Sequence, residues 1–160
     1  MSGRFHIQEL SISKLRIRQA KEADLHELIR VENICFDRYY RAHRFDLPQF
    51  ARYIRLSTIF VATDETSLKG YISGIIRPPI AHIDSIAVMP EVRQEGIGRR
   101  LMQKFIREAK QRGCKRITLE IAVANEVGRA FFEKLGFHEY RRVHSYYGPK
   151  VDALKMGCQL

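Results

Sequence analysis

The chain has 160 residues, a net charge of +10 and a pI of about 9.8. Its length suits one domain, and 45% hydrophobic with 29% charged residues is ordinary for a globular protein. No apolar run reaches the roughly 18 residues that a membrane-spanning helix needs. Polar residues interrupt the apolar positions near the N-terminus, whereas a secretion signal has a continuous apolar segment. These features exclude a membrane protein and predict a cytoplasmic one.

The cysteines and the charge narrow the function classes further. Cys35, Cys114 and Cys158 are scattered without zinc-ligand spacing, so we expect free thiols and no metal site. The positive charge is spread along the chain, which favours a solvated basic surface with some attraction for a polyanionic cofactor. Nucleic acid binding is unlikely, because no nucleic-acid-binding motif accompanies the charge.

The first half of the chain predicts a strand, two helices and two more strands. Residues 1–13 are expected to form an N-terminal extension to a single domain over residues 14–160. Alternation predicts a strand at 15–18, and Asp24 is expected to cap a helix that turns Leu25, Leu28, Ile29 and Ile34 toward the core. A second helix is predicted at 47–54, with Pro48 in its first turn. Strands follow at 59–62 and 71–76.

The second half predicts alternating strands and helices. A strand at 82–88 precedes an amphipathic helix that Gly113 ends, and a strand at 116–123 precedes a helix that Asn125 caps and Gly136 stops. Two strands, at 140–144 and 153–156, finish the chain. This order predicts an α/β or α+β fold, with helices around a mixed sheet.

The loop between the strand at 82–88 and the following helix has the properties of a phosphate site. It contains Arg93, Gly96 and Gly98, so that backbone N–H groups at a helix start face a space without Cβ atoms. Neither the dinucleotide-binding nor the P-loop pattern is present. From these residues alone, a glycine-rich turn that merely begins a helix is equally possible.

A resemblance decides between these interpretations. Residues 83–137 resemble the core of the GNAT superfamily of N-acetyltransferases, whose Arg/Gln-x-x-Gly-x-Gly/Ala loop corresponds to Arg93-x-x-Gly96-x-Gly98. The motif Leu119-Glu120-Ile121 and the pair Tyr146-Tyr147 resemble the ribosomal-protein alanine and archaeal protein N-terminal acetyltransferases. The resemblance implies the GNAT fold, a mixed central sheet splayed between strands 4 and 5 and flanked by helices.

The resemblance also implies acetyl-CoA as the co-substrate. The strand at 82–88 would present backbone groups to the pantetheine arm, the following loop would wrap the pyrophosphate, and Asn125 would contact the cofactor from the other side. The positions implied to bind acetyl-CoA are Ile86, Ala87, Val88, Arg93, Gln94, Glu95, Gly96, Ile97, Gly98, Arg99, Asn125 and Phe132.

Acetyl transfer to an amine needs a base for the ammonium proton and a proton for the departing thiolate. Glu120 is the first candidate base, because alternation places it opposite the apolar face of its strand and the family has its base there. His82 is the second candidate, since its ordinary pKa suits proton transfer. From the residues alone, a solvated strand glutamate and a polar residue at a strand start remain open alternatives.

The expected acid is missing. The family usually carries a tyrosine where this chain has Phe132, and phenylalanine has no proton to donate. Tyr147, Tyr146 or water are the candidate replacements, because a thiolate needs little help to leave near neutral pH. The alternative is a weakened or lost activity.

The amine that accepts the acetyl group is predicted in less detail than the cofactor site. Glu32 and Tyr146 are candidate substrate-binding residues, and the subgroup resemblance implies a protein N-terminal α-amine attacked directly in a ternary complex. A small-molecule amine and a non-catalytic CoA-binding module are the alternatives. The sequence leaves open a monomer or a homodimer.

Overall fold

The computed structural model describes residues 14–36, 40 and 44–160, so the predicted N-terminal extension at 1–13 lies outside the described residues. A seven-stranded mixed sheet runs through the domain in the order β1-β2-β3-β4-β5-β7-β6. The strands are β1 (Arg16–Gln19), β2 (Ile59–Thr63), β3 (Leu68–Arg77), β4 (Ile80–Val88), β5 (Arg116–Ala122), β6 (His138–Val143) and β7 (Ala153–Gln159).

Four α-helices cover the two faces of the sheet: α1 (Leu25–Cys35), α2 (Leu47–Arg55), α3 (Ile97–Gln111) and α4 (Glu126–Lys134). Neighbouring residues of β2 pack into different hydrophobic cores, because successive side chains of a strand point to opposite faces of the sheet. Phe60 packs in the core that contains α3 and α4, whereas Val61 packs in the core that contains α1 and α2. Of the helices that the structure describes, none is long and apolar enough to cross a membrane.

The predicted helix signals are confirmed at four of five places, including Gly136, which follows α4 with a φ of 91°. Pro48 lies in the first turn of α2, Asn125 caps α4 by accepting a hydrogen bond from the Gly128 N–H, and Gly113 follows α3 with a φ of 92°. The predicted cap at Asp24 is wrong. Its carboxylate instead accepts a hydrogen bond from the Lys21 N–H at 2.7 Å and pairs with Arg18, so it closes a short 3-10 turn before α1 begins.

The helix α1 also departs from its predicted core face at one position. Leu28 is fully buried as expected, but Ile34 is 43% exposed. The burial of Glu32 explains the difference, because the helix turns this carboxylate rather than Ile34 toward the sheet.

The central feature of the sheet is the incomplete pairing of β4 with β5. This is a parallel pair, and its register runs only from Ile80 opposite Arg116 to Ile83 opposite Leu119. The other neighbouring strands are antiparallel, and β4 stays paired with β3 up to Val88. Strands β4 and β5 therefore diverge beyond Ile83, which confirms the splay that the resemblance implies.

Candidate active site

A cluster of ionisable side chains lies where β4 and β5 begin to diverge. The Nε2 atom of His82 lies 2.7 Å from Oε2 of Glu120, and its Nδ1 atom lies 2.7 Å from the hydroxyl of Thr118. His82 and Thr118 are directly opposite each other in the parallel register, which brings the three side chains to one face of the sheet. The two candidate bases that the sequence suggested are thus in direct contact.

Charge pairing sets the protonation of this pair. Although burial lowers the pKa of His82, its hydrogen bond to Glu120 and the nearby charge of Asp84 raise it above the ordinary value. Burial raises the pKa of Glu120, but His82 and Lys155 together bring it below its usual range. The Lys155 Nζ atom lies 3.6 Å from Oε1 of Glu120. The charged form of Glu120 is therefore favoured, and the carboxylate lies between the His82 ring and the Lys155 ammonium group.

A second carboxylate completes the cluster. Oδ1 of Asp84 lies 3.8 Å from Nε2 of His82, and Oδ2 accepts a hydrogen bond of 2.7 Å from the Tyr53 hydroxyl. Burial is the main cause of the raised pKa of Asp84, despite this hydrogen bond. Asp84 and Glu120 flank His82, so the cluster offers negative charge to a cationic amine.

Three tyrosines lie beside the cluster. The rings of Tyr146 and Tyr147 meet edge to face at 4.8 Å between centroids, and Tyr40 packs on Tyr147 at 4.9 Å. Tyr146 is 41% exposed, and the charges of Glu120 and Asp84 contribute, after burial, to its raised pKa. The sequence-predicted pair therefore lies beside the ionisable cluster.

The connection between β6 and β7 holds these tyrosines through Asp152. The Asp152 carboxylate accepts hydrogen bonds from the Ser145 N–H at 2.9 Å and from the Arg142 guanidinium at 2.8 Å. These bonds lower the pKa of Asp152 to about 2. The carboxylate is thus charged at neutral pH and fixes the start of the segment that presents Tyr146 and Tyr147.

Asn125 links the end of β5 to the tyrosine group. Its side-chain oxygen caps α4, while its Nδ2 atom donates a hydrogen bond of 3.1 Å to the Tyr40 hydroxyl. The N–H of Ala122, the last residue of β5, donates to the same hydroxyl at 3.0 Å. Asn125 thus acts as the predicted cap and also faces the opening between β4 and β5.

The loop before α3 has the geometry of an anion site. Gln94 and Gly96 have φ angles of 67° and 83°, and the space beside Gly96 contains no described atom within 4 Å of a Cβ position. The first N–H groups of a helix have no partner within it, and they attract phosphate oxygens. Arg93 donates to the Val88 carbonyl at 2.9 Å, which holds its charge at the end of β4. These residues fit the pyrophosphate of CoA.

The remaining predicted cofactor positions lie between this loop and Asn125. Ile86, Ala87 and Val88 are on the part of β4 that no longer pairs with β5. Gly98 allows close packing, because a Cβ there would lie 3.2 Å from the ring of Phe131. Of the other predicted cofactor positions, Glu95 precedes α3, and Ile97 and Arg99 lie in its first turn. Phe132 is buried on α4.

Glu32 lies away from the cluster around His82. The residue is only 2% exposed, and its carboxylate accepts hydrogen bonds from the Phe45 N–H at 2.9 Å and from the Tyr71 hydroxyl. Burial raises its pKa despite these bonds. Glu32 joins α1 to the segment before α2, and it would have to exchange one of these donors to receive an amine.

The family model for the acetyltransferase (GNAT) family matches residues 24–137. The chain belongs to this family. It is therefore an acetyl-CoA-dependent acyltransferase, and the diverging strands, the loop before α3 and the cluster around His82 lie within the matched GNAT region.

The GNAT relatives support an N-acetyltransferase. An N-alpha-acetyltransferase of Sulfurisphaera tokodaii is 28% identical over 158 residues, which cover 91% of this chain and 93% of the relative. N-alpha-acetyltransferase 30 of Schizosaccharomyces pombe is 36% identical over 90 residues, 56% of this chain and 53% of the relative. This chain thus spans about half the length of the S. pombe protein.

Two further GNAT proteins mark the range of the similarity. The ribosomal-protein-S18-alanine N-acetyltransferase of Escherichia coli superposes with a TM-score of 0.77 and 25% identity, over 91% of this chain and 93% of that one. An aminoglycoside N(6')-acetyltransferase type 1 of Acinetobacter baumannii is 36% identical over 84 residues, 52% of this chain and 58% of the relative.

Several residues of the site were not among the predicted site residues. Thr118, Lys155, Asp84 and Tyr53 contact the two candidate bases or each other only through strand register and helix packing. Tyr40 lies in a connection that no periodic pattern describes. The polar alternation of β5 and the Asp84 position two residues after His82 were the only local indications.

Proposed function

We propose that this GNAT domain transfers the acetyl group of acetyl-CoA to a protein N-terminal α-amine by direct attack in a ternary complex. The observation that carries the proposal is the contact of His82 with Glu120, 2.7 Å apart, at the point where β4 and β5 diverge. A proton acceptor at this opening is what an attacking amine requires.

The pair removes the proton that makes an amine unreactive. An α-amine has an ordinary pKa near 8, so at neutral pH most of it is an ammonium ion that must lose a proton before attack. The Glu120 carboxylate accepts this proton, directly or through water, with His82 as its partner. Asp84 adds a second negative charge that attracts the ammonium form.

The cofactor is held by the other wall of the opening. Acetyl-CoA supplies an acetyl thioester there. Ile86, Ala87 and Val88 bind its pantetheine arm through their backbone, and Asn125 contacts it from the N-terminus of α4. The loop at 93–99 binds its pyrophosphate through backbone N–H groups and the charge of Arg93.

The acceptor approaches over the tyrosines. Tyr146 is exposed beside the cluster, and the half-buried Tyr147 supports it. Such rings bind an extended chain by contact area with little loss of side-chain entropy. The full-length similarity to an N-alpha-acetyltransferase supports a protein N-terminus as the acceptor.

The test is labelled acetyl transfer to a library of peptides that differ at their first two residues. We expect transfer to free N-termini, and loss by at least about 100-fold in a Glu120→Gln, His82→Ala double variant, because general-base catalysis contributes about 100-fold or more. Absence of transfer by the wild-type protein contradicts the acceptor, and full activity of the double variant contradicts the mechanism. Tyr140→Phe, on an exposed ring that packs against Arg116, is the control.

The similarity to an aminoglycoside acetyltransferase supports a second candidate, a small amine acceptor. The carboxylates of Asp84 and Glu120 would suit a polycationic substrate as well as a single N-terminus. A panel of aminoglycosides and polyamines, assayed by release of the CoA thiol, separates the two. A higher kcat/KM on any of these amines than on the best peptide favours the second candidate.

A further inference from the structure

Acetyl transfer leaves a thiolate that must be protonated, and the helix beside the proposed cofactor site offers no proton. The α4 positions closest to the opening include Phe131 and Phe132, whose rings pack on each other at 5.1 Å between centroids. The proton must come from water or from another element. Tyrosine hydroxyls are candidates among the side chains, and the contacts of these tyrosines differ.

Two of these tyrosines hold their protons against carboxylates. Tyr53 donates to Asp84 at 2.7 Å, and Tyr71 donates to Glu32. Loss of either proton would place a phenolate beside an acidic group, which is why burial and these carboxylates raise the pKa of both phenols. Tyr53 and Tyr71 are therefore poor acids.

Tyr146 and Tyr147 are also unfavourable donors. Burial is the main cause of the raised pKa of each, and the charge of Glu120 raises both further. A phenolate at either position would be disfavoured by the negative charge of Glu120. Both rings are better suited to contact the acceptor.

The Tyr40 hydroxyl oxygen accepts two hydrogen bonds. Two N–H groups point at its hydroxyl oxygen, from Ala122 at 3.0 Å and from the Asn125 side chain at 3.1 Å. A hydroxyl has two acceptor positions and one proton to donate, so these bonds use its oxygen and stabilise the form that has lost the proton. The same arrangement of two N–H donors stabilises the oxyanions of acyl-transfer reactions.

The position of Tyr40 matches this chemistry. Its hydroxyl contacts the last residue of β5 and the amide of Asn125, beyond the point where β5 pairs with β4. The ring is held edge to face by Phe36 at 5.6 Å and by Tyr147 at 4.9 Å. Aromatic contacts on two sides fix the hydroxyl against its two donors.

We propose that Tyr40 is the catalytic acid of this chain, which rests on the acetyl transfer proposed above. The amine nitrogen forms a bond to the thioester carbon, and the carbon–sulfur bond breaks with its electron pair on sulfur. The Tyr40 hydroxyl gives its proton to that sulfur, and the phenolate is held by the N–H groups of Ala122 and Asn125 until water returns a proton. Before the attack, the ammonium ion loses one proton to water through Glu120. As the carbon–sulfur bond breaks, the nitrogen of the tetrahedral adduct loses its second proton to Glu120, so the step is balanced.

The first experiment is steady-state and single-turnover acetylation with Tyr40→Phe. We expect kcat to fall about 10- to 100-fold, at the lower end for general-acid catalysis because a thiolate leaves readily. The KM for acetyl-CoA and the CoA affinity measured by calorimetry should change less than about threefold. The control Tyr140→Phe removes a hydroxyl from an exposed ring outside the site and should keep the wild-type rate.

The second experiment restores a donor from the opposite wall. A Tyr40→Phe, Phe132→Tyr double variant should regain at least about tenfold of the lost kcat, which a merely structural role of Tyr40 does not allow. An unchanged kcat in Tyr40→Phe, or a loss without recovery in the double variant, overturns the assignment of Tyr40. Failure of the wild-type protein on every amine instead overturns the proposed function.

Discussion

The Nε2 atom of His82 on β4 lies 2.7 Å from Oε2 of Glu120 on β5, one residue before the pairing of these strands ends. The contact joins the two walls of the opening that is proposed to hold the reacting groups. Because it consists of two ionisable side chains, its state depends on pH. The protonation of His82 therefore reports on the geometry of the site.

Glu120→Gln should lower the pKa of His82. The carboxylate stabilises the imidazolium, and without it the burial of His82 and the charge of Lys155 favour the neutral ring, while Asp84 opposes them. In the wild-type protein, the raised pKa gives stability that is present below pH 6.5 and is lost as pH rises through the folded value. NMR titration of the His82 ring measures the change.

The same titration in Asp84→Asn gives the matched control. Asp84 is 3.8 Å from His82, farther than Glu120, so its removal should lower the pKa of His82 by a smaller amount. A larger shift in Asp84→Asn than in Glu120→Gln would show that the 2.7 Å contact does not dominate. The acidic limb of the rate profile should move with the ring titration in each variant.

Tyr53→Phe should weaken substrate binding more than it weakens the fold. The change removes the hydrogen bond that fixes Asp84 and that lowers its pKa, so Asp84 becomes easier to protonate and more mobile. We expect a loss of about 1 kcal/mol in unfolding free energy, since the exposed part of Asp84 can bind water instead. The KM for a cationic acceptor should rise severalfold, most strongly at low pH.

Urea denaturation and kinetics at pH 6 and pH 8 together test the Tyr53 prediction. At pH 8 the Asp84 carboxylate is charged in both proteins, so the difference in KM should shrink. An equal effect at the two pH values would contradict a role through the charge of Asp84.

Asn125→Ala and Asn125→Asp should separate two functions of one side chain. Alanine removes the α4 cap, which costs about 1 kcal/mol, and also removes the donor to Tyr40. Aspartate keeps an oxygen for the Gly128 N–H but replaces the donor with a carboxylate. Thermal unfolding should therefore show a loss in the alanine variant alone, whereas kcat should fall in both. Wild-type kcat in Asn125→Asp would contradict the role of the Nδ2 donor.

Gly96→Ala should weaken CoA binding through the backbone. Gly96 has a φ of 83° and open space beside it, so an added methyl group clashes with no described atom and the cost is the left-handed conformation, about 1–2 kcal/mol. Relaxation of that strain moves the N–H groups before α3, and calorimetry with CoA should show an affinity about tenfold lower.

Gly113→Ala is the control at the opposite end of the same helix. Gly113 has a φ of 92° and equally open space, so the cost to folding is similar, but the residue is remote from the loop at 93–98. Its CoA affinity should equal that of the wild-type protein. Equal losses of affinity in the two variants would mean that general destabilisation, and not the loop, is responsible.

The fold was predictable because its signals are local. Alternation along β5 places Glu120 opposite the apolar side chains. The caps at Asn125 and Gly113 lie directly beside the ends of the helices that they cap. The predicted cap at Asp24 was wrong because other local donors bind its carboxylate. Arg18 and the Lys21 N–H take the place of the N–H groups of α1. A cap pattern identifies an acceptor and leaves open which donor it binds.

The interior of the site was only partly predictable. The contact of His82 with Thr118 depends on the parallel register of β4 and β5, which no local pattern specifies because the strands are separated by α3. Glu32 was expected at the substrate from the subgroup resemblance, with an exposed helix carboxylate as the alternative, and its burial against the distant partner Tyr71 has no local signal. Tyr40 acquires its two N–H donors only from Ala122 and Asn125, more than 80 residues away in the sequence.

The early end of the β4–β5 pairing has a thermodynamic consequence for the protein as a whole. Backbone groups in the second half of β4 lack the strand partner that the rest of the sheet provides, and a pantetheine arm laid along them would serve as that partner. Such a ligand binds only the folded chain, so it adds about 2.7 kcal/mol to the unfolding free energy at one hundred times its dissociation constant. The melting temperature would then follow the CoA concentration, and the supply of cofactor would govern the lifetime of the protein as well as its rate.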